Sequence, residues 1–233
     1  MKHLTNSLQF KDIVLYIDRK NNQLTENFLK TIMRFVKSQS HLPNRFSYSG
    51  SEGDLSRVLT FKENLGFETL TANGECTTEF NLWNYIADST TPYILKLFRQ
   101  LPEKDTHIDN LEKDEVQITS LIKAFLKDSP IYILEKPEQY LNKEMIINTQ
   151  QVIDHFSRVH KKIFIIKTES HSFWHSMANK ILYRDENSNF ILTPLPALQL
   201  LDNFDDFVEQ ESVHQEQDKL LTFKNIPKHL IAK

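Results

Sequence analysis

Glycine is scarce in this chain. Gly50, Gly53, Gly66 and Gly74 are the four among 233 residues, and none precedes a helix opening with Lys-Ser or Lys-Thr. A backbone cradle for phosphate needs glycines at such a turn, so the usual Gly-rich phosphate loop is excluded. Cys76 stands alone, which rules out an internal disulfide and gives no support to an oxidising compartment. Met1 to Ser7 holds no apolar core of signal-peptide length, and no apolar run is long enough to span a bilayer. The expectation is a soluble cytoplasmic chain, with any peripheral membrane association coming through a partner rather than by direct insertion. A net charge of −3 gives no reason to expect nucleic acid as a partner.

What is present suits one α/β domain with an appendage: 39% of the residues are hydrophobic and 25% charged, enough to bury a real core. The organising stretch runs from Asp128 to Arg184. Ile131, Tyr132, Ile133 and Leu134 lie between a Ser129-Pro130 breaker and the charged turn Glu135, Lys136, Pro137, which predicts a short buried strand running into a loop. A helix follows from about Lys143 to Val159, with Met145, Val152, Phe156 and Val159 on its apolar side, and then a second buried strand, Ile163 to Lys167. Strand, crossover helix and strand of this size predict a βαβ unit with parallel strands. In such folds the loop after a strand carries the chemistry.

These residues resemble the C-terminal half of the nucleotide-binding domain of ATP-binding-cassette (ABC) proteins. The likeness runs through the helix with Ile118, Leu121, Ile122, Phe125 and Leu126, the strand ending at Glu135, the second strand ending Lys167, Thr168, Glu169, and the closing element Ala178 to Tyr183. Glu135 and Glu169 lie 34 positions apart, about the family's spacing between its strand-end aspartate and its switch histidine. The resemblance implies a P-loop NTPase-like core with a mostly parallel sheet over residues 1–192, a helical subdomain at about 78–125, and a C-terminal extension over 193–233.

At the chemical positions the pattern departs from the family. Glu135 stands where the family has its magnesium-binding aspartate, and Lys136 where it has the glutamate that polarises water; a cation there can neither take a proton nor hold water by lone pairs. Glu169 stands at the switch-histidine position. The Leu-Ser-Gly-Gly-Gln signature falls on Leu111, Glu112, Lys113, Asp114 and Glu115, without its serine or glycines. Aligned through Phe28, Leu29 and Lys30, the phosphate-binding loop falls on Arg19 to Asn27, where there is no glycine. The resemblance therefore implies no catalytic residue, no cofactor and no metal.

Along the rest of the chain, Leu8, Phe10, Ile13, Leu15 and Ile17 alternate with other residues through Lys11-Asp12, which predicts a strand pair or a bulged strand. Leu24, Phe28, Leu29, Ile32, Phe35 and Val36 fall on one helical face, capped by Asn22 or Thr25. Ser47 to Gly53 reads as a surface turn. Leu65, Gly66 and Phe67 resemble the family's strand leading to its glutamine loop, with Leu70 at or next to the glutamine position. Phe80, Leu82, Trp83 and Tyr85 resemble the segment that opens the family's helical subdomain. With Leu70 they mark the groove that, in the family, receives a coupling helix. The run 185–189 predicts a hairpin loop before the strand Phe190 to Leu192, and Leu198, Leu201, Phe204, Phe207 and Val208 predict a helix that covers its own domain or binds a partner. His171 and His175, at i, i+4 beside Glu169, are read as an ordinary helix rather than a metal site, and Glu135, Lys136 and Glu138 as a partly exposed loop of mixed charges.

Three functions remain open. The first is an inactive ABC-type homologue serving as a structural or regulatory subunit beside an active ABC ATPase or an inner-membrane protein. The second is an enzyme with Glu135 on magnesium and Lys136 or Lys167 on phosphate. The third is a free-standing cytoplasmic adaptor.

Overall fold

The computed structural model describes residues 7–17, 27–50, 55–66, 92–184 and 189–195. The expected phosphate-loop run up to 26, the groove residues Leu70, Phe80, Leu82, Trp83 and Tyr85, the proposed caps Asn22 and Thr25, and the tail helix all lie outside them. The chain divides into a unit of Met1–Leu195 and one of Pro196–Lys233.

The described strands form a six-stranded sheet. They are β1 (Ile13–Ile17), β2 (Phe46–Ser49), β3 (Ile131–Glu135), β4 (Ile163–Lys167), β5 (Lys180–Arg184) and β6 (Phe190–Pro194), in the order β2-β3-β4-β1-β5-β6. All neighbours are parallel except β5 and β6, which pair as an antiparallel hairpin. The helices are α1 (Phe28–Ser38), α2 (Pro92–Phe98), α3 (Lys113–Leu126), α4 (Lys143–Arg158) and the short α5 (His171–Trp174), with a further helical stretch at 61–66.

The apolar runs of β1, β3 and β4 are explained by cores on both faces of the sheet, as parallel sheets require. One core joins Ile13, Leu15, Tyr132, Leu134, Phe164 and Ile166 to side chains of α2, α3 and α4. The alternate residues Val14, Tyr16, Ile131, Ile133, Ile163 and Ile165 pack against Phe28, Ile32, Phe35 and Val36 of α1. The period-2 geometry of a strand divides each run between the two layers. Register aligns Ile131 to Glu135 with Ile163 to Lys167, so the two strands end level with each other. Glu135 and Lys167 thus become cross-strand neighbours at the edge where the loops emerge.

Five expectations are corrected. Residues 10 and 11 form a turn, so a single strand starts at Ile13, buried throughout rather than alternating. The expected surface turn at Ser47 is the edge strand β2. Its buried Ser47 Oγ donates to the Ala124 carbonyl at 2.8 Å, and Ser49 Oγ bonds Ser120 Oγ at 2.8 Å, so the small hydroxyls are satisfied against α3. Leu65 is buried in the helical stretch 61–66, not in a strand. Val159 lies one residue past α4 and is 60% exposed, because the helix ends before its apolar face returns to the sheet. The cap of α1 is Asn27, whose side chain accepts the Lys30 amide at 3.3 Å.

Candidate functional site

The loops after β3 and β4 leave the same edge of the sheet and enclose a cleft of about 320 Å³. Lys136, Gln139, Leu141, Lys143, Glu169 and Phe173 are among its lining residues. This is where ligands sit in open α/β sheets, outside the carboxyl ends of parallel strands.

Glu135 ends β3 and has a partner on each carboxylate oxygen. It accepts the Tyr48 hydroxyl at 2.8 Å and the Lys167 ammonium at 3.2 Å. That ammonium also lies 5.2 Å from the centre of the Phe28 ring at the start of α1, so one cation bridges strand end and helix start. Lys136 follows with a left-handed φ of 51°, its amide donating to the Lys167 carbonyl at 2.7 Å. Its ammonium pairs with the Glu169 carboxylate, and this charge-assisted bond holds the lysine above its usual range. Two oppositely oriented ion pairs therefore tie the two strand ends together: acid on β3 to base on β4, then base after β3 to acid after β4.

Beneath them lies Glu138, which is 8% exposed and thus no part of an open loop of mixed charges. Its Oε1 accepts the Thr168 hydroxyl at 2.5 Å and the amides of Glu169 and Ser170 at 3.0 and 3.3 Å. Its Oε2 accepts Trp174 Nε1–H at 3.0 Å, from a fully buried indole. One carboxylate thus gathers the β4 loop and α5 onto the β3 loop. Sequence reasoning missed this role; the available signal was the joint presence of an acid just after a strand-end proline and a tryptophan on the next βα connection.

The run Leu111 to Glu115 starts α3. Glu112 and Glu115 form a reciprocal capping box, the Glu112 amide donating to the Glu115 carboxylate at 2.8 Å. The Asp114 carboxylate accepts the Glu115 amide at 3.0 Å. Leu111 packs against the core, and the Lys113 ammonium stands 5.2 Å from the Tyr140 ring centre, joining this helix start to the β3 loop. The carboxylates of this run are thus engaged by backbone N–H groups of their own helix start. His175 Nδ1 lies 3.2 Å from the Ser172 carbonyl, and no group of three His, Cys, Asp or Glu among the described residues is arranged to hold a metal ion.

No family model matches the chain, and no curated protein matches it. Solved structures do. An ATP-binding cassette in a dimeric post-hydrolysis state bound to ADP and Pi superposes with a TM-score of 0.59 at 12% identity, over 82% of this chain and 89% of that one. The fold is that of an ABC ATPase nucleotide-binding domain. The ATP-binding subunit of an ABC transporter gives a TM-score of 0.57 at 16% identity, over 75% of each chain. RNase-L Inhibitor gives 0.55 at 12% identity over 85% of this chain, which spans 37% of that longer protein. The likeness to ABC ATPase structures concerns the fold. Among the described residues no helix is long and apolar enough to cross a membrane.

Proposed function

We propose that this chain is a catalytically inactive ABC-ATPase-like subunit with a structural or regulatory role in a membrane-associated ABC-type complex. The observation that carries the reading is the pair of ion bridges at the strand ends, Glu135 with Lys167 and Lys136 with Glu169. In the family resemblance, Glu135 would be the magnesium ligand, yet its carboxylate already carries an ammonium and a tyrosine hydroxyl. Lys136 takes the place of the water-polarising glutamate and holds Glu169 against itself, so a triphosphate there would meet a carboxylate and break an ion pair to enter. The glycine-free phosphate loop of the sequence agrees with this. What survives is the scaffold, and a scaffold without nucleotide chemistry retains surfaces for an active ABC ATPase or an inner-membrane protein.

The test has two parts. Melting of the purified chain with and without millimolar Mg-ATP is expected to give no shift; a saturable rise would mean nucleotide binding and would overturn the inactive reading. Affinity purification from gently solubilised cells is expected to recover an intact ABC ATPase or a multi-span membrane protein in stoichiometric amount. Recovery with non-membrane proteins alone would replace the subunit reading with that of an adaptor.

A further inference from the structure

The opposite end of the sheet, where the parallel strands begin, has a different character. Its turns are stitched side by side: Ser157 Oγ donates to the Lys11 carbonyl at 2.9 Å, the Ile163 amide to Pro130 at 3.0 Å and the Phe164 amide to Asp12 at 2.9 Å. These turns, with the residue preceding β2, carry Lys11, Arg45, Lys127, Arg158, Lys161 and Lys162, the last half-buried and the others exposed. The carboxylates facing them are Asp128, which pairs with Lys162 and lies 4.0 Å from Arg45, and Asp154, 2.7 Å from Arg158. Asp12 is buried and paired with Lys180. Among the described residues, six cations against two such carboxylates leave an excess of four positive charges, at one end of a chain whose net charge is −3.

Two apolar side chains stand among these cations at the tips of the turns, Phe10 at 52% and Val159 at 60% exposure. Lys11 and Lys161 beside them have left-handed backbones, φ 77° and 56°, a conformation that side chains other than glycine rarely adopt. Exposed apolar tips within a basic field fit a surface that is anionic at headgroup depth and apolar beneath it.

We infer that this end of the sheet docks on an anionic phospholipid membrane, its lysines and arginines at the phosphates and Phe10 and Val159 in the headgroup layer. Nucleic acid shares the negative charge but fits the tips less well, because Val159 offers no ring for a base to stack on. A free phosphate would need converging donors, whereas these cations are spread over separate turns. The inference is independent of the nucleotide question, since it rests on the other end of the strands.

The test is flotation of the full chain with vesicles. Binding is expected to phosphatidylcholine vesicles containing about one-third phosphatidylserine and not to pure phosphatidylcholine, and to be lost at about 0.5 M salt. The triple variant Lys11→Glu, Lys127→Glu, Lys161→Glu should weaken binding about tenfold or more with its melting temperature kept, and Phe10→Ser about fivefold. Absence of binding to the anionic vesicles by the unaltered chain would overturn the inference. So would equal binding to both vesicle types, or tight binding to a nucleic-acid homopolymer together with indifference of vesicle binding to Phe10→Ser.

Discussion

Replacing Glu138 by alanine isolates the group that holds the candidate site together. The substitution removes the acceptor of four hydrogen bonds. Two of the donors, the Thr168 hydroxyl and the Trp174 indole, belong to residues 7% and 0% exposed, so water cannot readily replace the carboxylate. A buried donor left without a partner costs about 1–3 kcal/mol, while the amides of Glu169 and Ser170 are less buried and can recover solvent. Part of the loss is returned because the carboxylate itself no longer has to be desolvated, which leaves about 3 kcal/mol as the expected destabilisation. For a domain of this size that corresponds to a melting temperature lower by roughly 6–12 °C. Urea unfolding gives the free energy and calorimetry the temperature. Glu138→Gln keeps one accepting oxygen but turns an amide donor towards part of the cluster, so about half the loss is expected. The double variant with Trp174→Phe should show a coupling of about 1–2 kcal/mol. A Glu138→Ala protein within about 0.5 kcal/mol of the parent would refute the hub reasoning.

Acid sensitivity should come from the start of β4. Burial first, then His155 and Lys162, lowers the His160 pKa from its ordinary 6.5. The unfolded chain therefore binds the proton more readily, so this histidine makes stability fall as pH drops through about 6.5, until the folded imidazole also titrates. His160→Gln should flatten that part of a melting-temperature profile. Asp128 acts at lower pH: the Lys162 hydrogen bond holds it below 3.8, so its stabilisation is present above that value and is lost as pH falls through the folded pKa. Asp128→Asn should remove this second slope in the same profile. Lys180→Met should strand the buried Asp12 carboxylate, which among the described residues keeps the Gln9 amide and the Asn179 side chain, and lower stability by about 3 kcal/mol in urea.

The elements legible in the sequence were those whose burial is two-sided. Ile131 to Leu134 and Ile163 to Ile166 are apolar without interruption because each face of the sheet has its own core, and a short unbroken apolar run after a breaker means a strand. Their ends were legible too, since Lys167 and the Glu135-Lys136 turn mark where burial stops. Ser47 and Ser49 read as turn residues because serine in a strand is recognised only by its acceptors, and those lie on α3 more than 70 positions away. Leu65 and Val159 are ambiguous in the sequence for the same kind of reason: one hydrophobic residue fits either a strand or a helix, and where a helix stops depends on what lies beneath it.

Local pattern thus determined the α/β class, the βαβ unit and the types of residue at the strand ends. Each follows from neighbours a few positions apart, whose spacing is fixed by helix and strand geometry. Only the tertiary structure decided how those end residues pair. Register sets Glu135 beside Lys167, the β4 loop brings Glu169 to Lys136, and the fold buries Glu138 under Trp174, 36 positions away. The strength of a charge pair depends on distance and burial, and a linear sequence carries neither.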